Sequence, residues 1–197
     1  MRAVSDRRAG YSGSVPSLPS ESAVRRHASR VLFGATLDDK LAPWGDVDPD
    51  DAGPPLDPPD APGRPVSLAL PSGRRDVAPI RASDVDSNDG RARVLHELLN
   101  HELMALELMA LALVRWPDAP APWRRGVVRA LGDEQRHLAA YRDRLVACGG
   151  EVGEHPVSRH FWDTLSRVPT LDAFIAGMSL CFETANLDFA GQWRDRF

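Results

Sequence analysis

Two stretches of this chain place carboxylates and imidazoles where apolar side chains would be expected. In HELLNHELMALEL, residues 96–108, three glutamates and two histidines interrupt an apolar run. In GDEQRHLAAYRDRL, Glu134 and His137 form E-x-x-H. Burying such groups is costly unless something compensates their charge. HELLNH resembles the HExxH of zinc peptidases, but His96 and His101 are five residues apart rather than four. At about 100° per residue they point about 140° apart and cannot share a metal. Glu134 and His137, three apart, do share a helix face. Their line runs through Val127, Ala130, Leu131, Leu138 and Tyr141, which is the apolar line of that segment. Glu102 sits in another apolar line, with Leu95, Leu98, Leu99, Ala105, Leu106, Met109 and Leu113. Glu183 lines up with the small residues Ala176, Ser179 and Ala190 and with Asn186 and Leu187.

Taken singly, each of these has a bland reading. An E-x-x-H is as readily a solvated or salt-bridged pair, and a lone inward glutamate can pair with an arginine. Together they are harder to dismiss, because three buried carboxylates repel one another, and a divalent cation would hold them ionised. Mixed carboxylate and imidazole donors suit iron or manganese. Glu97 and Glu107 lie on other faces and read as rim or structural residues. His155 and His160 fall in a connecting stretch, where a surface position is the default. Tyr141, one turn beyond His137, is a core phenol or a proton or electron donor.

The elements that must position these residues are helices. Residues 1–21 are rich in Ser, Gly, Arg and Pro without apolar periodicity, and read as disordered or as a start-site extension. Ser20 or Ser22 can cap a short helix, SAVRRHASRVLFG, ending near Gly34. Eight prolines between Pro43 and Pro65 then exclude helix and central strand. Such a segment wraps along a surface or forms a linker, and VSLALP, residues 66–71, offers an anchoring point. Residues 22–88 thus form a short helix plus an extended segment, and residues 89–197 the helical domain. From about Asp89 strong helix formers run for about 25 residues, roughly 38 Å, to the stop WPDAP. A second helix starts near Pro122 and ends at Gly149-Gly150. A short helix is expected around residues 159–166, and Thr170 caps a third long helix with no stop signal before Phe197. The expected fold is all-α, an antiparallel helical bundle.

Composition narrows the function classes. With 24 basic and 28 acidic residues the net charge is −4, without the basic footprint of a nucleic-acid binder. No apolar run reaches membrane-span length, and no signal peptide is apparent. Cys148 and Cys181 lack metal-type spacing and read as reduced thiols in a cytoplasmic protein. Lys40, the sole lysine of an arginine-rich chain, reads as genomic composition.

NHELMALELMALALVRWPDAP, GDEQRHLAAYRDRL, HPVSRHFW and FETANLDFAGQWRDRF, together with RVLFGATLDDKLAP and PPDAPGRP, resemble the ferritin-like bacterial family catalogued as domain of unknown function 455. The resemblance covers nearly everything after about residue 24. It implies a ferritin-like bundle in which Glu102, Glu134, His137 and Glu183 are metal ligands, with Asp133, Asn186 and Asp188 as supporting or helix-contact residues. Ferritin-like di-iron and di-manganese bundles use one Glu from each of two helices and an E-x-x-H from each of the other two. Glu102 precedes Glu134 by 32 residues. The same spacing would put the second E-x-x-H near position ~215 on a fourth core helix, beyond Phe197. The expectation is therefore a truncated bundle, its open apolar face a possible route to a homo-oligomer.

Two functions compete. One is a di-metal carboxylate oxidoreductase that uses iron or manganese on an unknown small-molecule substrate, impaired by truncation. The other is a non-catalytic metal-binding or interaction module, or an inactive fragment. Hydroxylation of RNA, as in tRNA-hydroxylating members of the ferritin-like group, ranks lower for want of a basic patch.

Overall fold

The computed structural model describes residues 22–45, 47–49, 53–73 and 80–182. These are helical or extended, with no strand among them. The first helix, α1 (Ala23–Phe33), is capped by Ser22, whose Oγ accepts the Arg25 N–H at 3.2 Å. A single turn, α2 (Leu37–Lys40), follows behind a reciprocal Thr36/Asp39 capping box. The extended segment leads into two 3₁₀ turns, Val66–Leu68 and Ala82–Asp86. The two long helices are α3 (Asn88–Arg115) and α4 (Ala121–Ala147), joined by five residues and therefore antiparallel neighbours. Then come α5 (His160–Leu165) and α6 (Leu171–Ile175), the latter capped by Thr170 and widening into a π-helix over Ala176–Phe182.

The start of α3 depends on backbone crowding. Ser87 caps it by accepting the Gly90 N–H at 3.0 Å, and a Cβ at Gly90 would meet the Asp84 carbonyl oxygen at 1.7 Å. Glycine is thus required where the second 3₁₀ turn folds onto the helix.

α3 is the axis of the molecule. Leu99, Leu103, Leu106, Ala110, Leu113 and Val114 on several of its faces are all buried, as in a helix covered all round. α1 packs on it with Val24, Ala28, Val31 and Leu32, α4 with Leu131, Leu138 and Leu145, and α5 with Trp162. Each fully buried Leu or Val contributes about 1.5–3 kcal/mol relative to an exposed position.

The proline-rich segment lies along these helices. Its backbone cannot form a ladder, so side chains and isolated backbone groups satisfy it instead. Gln135 donates to the Lys40 and Ala42 carbonyls, both at 2.8 Å. Arg124, fully buried, donates to the carbonyls of Pro49, Leu113 and Trp116. Leu56 N–H reaches the Val114 carbonyl at 2.9 Å, and Trp162 donates to the Asp60 carbonyl at 3.1 Å. Leu68, fully buried, anchors the first 3₁₀ turn.

Three expectations need correction. Glu107 is not a rim residue. It is fully buried between Lys40 Nζ at 3.0 Å and Arg64 Nη2 at 2.6 Å, because the proline-rich segment covers the face of α3 that a bare bundle would leave wet. Lys40 is a structural pin rather than a compositional accident, since it also donates to the Val31 and Gly63 carbonyls at 2.5 Å each. The third long helix is not α-helical throughout. A Cβ at Gly177 would come within 2.4 Å of Leu165 Cδ2, and the wide turns accompany that close approach to α5. The α-helical phase that aligned Ala176 and Ser179 with Glu183 does not carry through such turns.

Candidate metal centre

Glu102 lies midway along α3, and Glu134 and His137 lie one turn apart on α4. The antiparallel packing of the two helices brings all three together. His137 Nδ1 is 3.4 Å from Glu102 Oε2 and 3.3 Å from Glu134 Oε2. One ligand atom from each residue lies within 4.8 Å of the others, and this is the one such metal-capable group among the described residues.

Burial grades across the cluster. Glu102 is only 8% exposed, whereas the His137 side chain is 56% exposed and closes the group from the solvent side. Glu102 is pushed up to about 9, first by burial, then by its hydrogen bond to Glu134 and by the charge of that group. Burial and the neighbouring carboxylate thus favour the protonated form of Glu102 in the metal-free protein. The Tyr141 phenol, a turn beyond His137, is raised by its own burial and then by Glu102 and Glu134.

The donor set fits a divalent transition metal. Two carboxylates and one imidazole are hard-to-borderline ligands suited to iron, manganese or zinc. A cation among them would displace the proton from Glu102 and relieve the repulsion between the two carboxyls. Glu183, the fourth expected ligand, lies outside the described residues, as do Asn186 and Asp188. Asp133 does not back the cluster, because it is exposed and pairs with Arg136.

The other histidines and acids fall elsewhere. Glu97 pairs with His101 Nε2 at 3.3 Å, one helical turn apart on α3. His160 is exposed. His155 departs from the surface default: it is half-buried, its ring 5.4 Å from that of His96 in an edge-to-face arrangement. Sequence reasoning missed the buried network of Lys40, Arg64, Asn100 and Glu107, in which Arg64 also donates to Asn100 Oδ1 at 2.9 Å. Its one legible signal was the unique lysine, a compact ammonium with three donors where the chain otherwise uses arginine.

No helix among the described residues is long and apolar enough to cross a membrane. No curated protein and no solved structure matches the chain. The family described as "Protein of unknown function (DUF455)" matches residues 25–197. That match spans α1, the proline-rich segment and every element that builds the carboxylate–imidazole cluster, and the chain belongs to that family.

Proposed function

We propose that the protein is a carboxylate-bridged metalloprotein of the ferritin-like kind, an oxidoreductase that uses iron or manganese on a small-molecule substrate. The observation that carries this reading is the convergence of Glu102, Glu134 and His137, two acids and an imidazole from adjacent helices. Glu102 would be the inner ligand, held by the rigid and fully packed middle of α3. Glu134 would sit opposite it, and His137 would complete the position from the solvent side. Glu183 is the fourth ligand of the proposal. A redox-active metal bound there would supply electrons for the reduction of dioxygen or peroxide. The chain's own part is to neutralise the metal's charge with carboxylates and to exclude water from the inner side. Tyr141 places a phenol beside the carboxylates, where it can hold or pass a proton.

A second reading is a non-catalytic metal-binding module. It is favoured by the ligand count among the described residues, which provides for one metal position.

Metal analysis of the purified protein, followed by oxygen consumption with ferrous iron, separates the two. Bound metal with turnover, both lost in Glu102→Gln, supports the oxidoreductase. Bound metal lost in Glu102→Gln but without turnover supports the module. Failure to bind iron, manganese or zinc at pH 8 removes both.

A further inference from the structure

A second group of titratable residues lies away from the carboxylate cluster, where the loop between α4 and α5 meets α3. We propose that His96 is a proton-operated latch: its neutral imidazole holds this loop against α3, and its protonated form releases it.

The geometry fixes the chemistry of the ring. His96 is fully buried, and its Nε2 accepts the backbone N–H of Gly153 at 3.0 Å. An accepting Nε2 carries no proton, so the single proton of the neutral ring is on Nδ1. Neither His96 Nδ1 nor His155 Nε2 has a hydrogen-bond partner among the described residues, although both atoms are buried and the rings are 5.4 Å apart. A metal between the two rings is disfavoured by valence. It would need the Nδ1 lone pair while Nε2 is already accepting, and hence an imidazolate with no proton on either nitrogen.

Few polar contacts hold the loop around this bond, with Val152 packed against the core and Val157 buried in it. At one end the Gly150 N–H reaches the Leu145 carbonyl at 3.1 Å, and at the other Asn100 Nδ2 donates to the Ser158 carbonyl at 3.1 Å. Between these anchors Glu151 and Glu154 bond to each other, through Glu151 N–H to Glu154 Oε2 and Glu154 N–H to the Glu151 carbonyl. The tip meets α3 through Gly153 and His96. Gly153 has φ +90°, and a Cβ there would lie 2.3 Å from Ser67 Oγ. The tip is therefore wedged between α3 and the first 3₁₀ turn. Pro156 and Val157 just beyond it form a wall of a cavity of about 420 Å³, opposite Val66, Ser67 and Pro71.

Protonation at Nε2 turns the acceptor into a donor facing the Gly153 N–H, and the hydrogen bond becomes a repulsion. The groups acting on His96 are His155 and Glu154 of the loop and Glu97 of α3. Burial is the largest influence and lowers its pKa, the charge of His155 lowers it further, and Glu97 and Glu154 oppose the shift less strongly. A pKa below the ordinary 6.5 in the closed form gives the loop its full stability above pH 6.5. That stability falls about tenfold per pH unit on acidification until the closed-state pKa is passed.

Residue-resolved amide exchange on the full chain at pH 7.5 and pH 5.0, corrected for intrinsic rates, tests this. Protection at Gly153 and its neighbours 151–155 should fall several-fold at the lower pH, while amides of Leu103–Leu113 keep theirs. His96→Gln, which keeps a neutral acceptor, should abolish the pH response. Nitrogen NMR of the wild-type ring should show the Nδ1–H tautomer at neutral pH. An Nε2–H tautomer, a metal on the ring, equal protection at both pH values, or a response that survives in His96→Gln would each overturn the latch. If His96→Gln does not fold, the wild-type tautomer and exchange profile decide it.

Discussion

A carboxyl group held at about 9 inside a helix pair is a thermodynamic load on the metal-free protein at neutral pH, and Glu102 is such a group. The folded form keeps a proton there that the unfolded chain gives up near 4.5. The contribution of the protonated form is full below about pH 4.5 and is lost as the pH rises toward 9, on the order of 1 kcal/mol per pH unit. Denaturant titrations of the metal-free protein should therefore show stability falling between pH 6 and pH 9, and Glu102→Gln should flatten that slope. Manganese added at pH 8 should restore stability in the wild type and release protons to the medium, because the metal takes the proton's place. A wild-type slope equal to that of Glu102→Gln would remove the account of a protonated Glu102. His137→Ala tests the open side of the same cluster. It should weaken metal binding at least about tenfold by equilibrium titration. Protein stability should barely change, since this side chain is mostly exposed.

At the scale of elements, buried charge does a different job. Lys40, Arg64 and Glu107 join α2, the proline-rich segment and α3 in one ion cluster with no solvent access. Removing one partner leaves an uncompensated buried charge, at about 3–5 kcal/mol. Glu107→Gln is thus expected to lower unfolding free energy by about that much, whereas the double change Lys40→Met with Glu107→Leu should cost less than the single one. Chemical unfolding of these two variants and of Lys40→Met alone would show the non-additivity, and equal or additive losses would refute it. The helix boundaries were legible in the sequence because they rest on local chemistry: Ser22 and Thr170 as caps, Pro122 in the first turn of α4, Gly34 after α1. The convergence of Glu102, Glu134 and His137 was legible for a related reason, since helical phase alone puts a residue on a seam. The burial of Glu107 was not, because its cover comes from residues 40 to 64, far away in sequence and without periodicity. The π-turns of Ala176–Phe182 were equally hidden, since nothing local in AGMSLCF separates wide turns from α-helical ones.

At the scale of the whole molecule, the proline-rich segment behaves as part of the core rather than as a tether. Trp44 and Leu68 belong to the same apolar cluster as Leu99 and Leu113. The backbone bonds Leu56 N–H to the Val114 carbonyl and Gly63 N–H to the Leu32 carbonyl, 2.9 and 2.8 Å long, run from this segment to α3 and α1. Gln135, next to Glu134, clamps the Lys40 and Ala42 carbonyls, so the segment also holds the turn of α4 that carries the E-x-x-H. If segment and helices form one cooperative unit, amides in an apparently irregular stretch must open only with the whole fold. Native-state exchange at low denaturant should then give Leu56 and Gly63 opening free energies equal to those of Leu103 and Leu106. Their denaturant dependence should match that of global unfolding. Gln135→Ala should lower the protection of Ala42 and its neighbours and weaken metal binding at Glu134 in parallel, because both depend on the same turn of α4. Exchange of Leu56 and Gly63 at the rate of a free chain, with the helices still protected, would instead make the segment a separable strap.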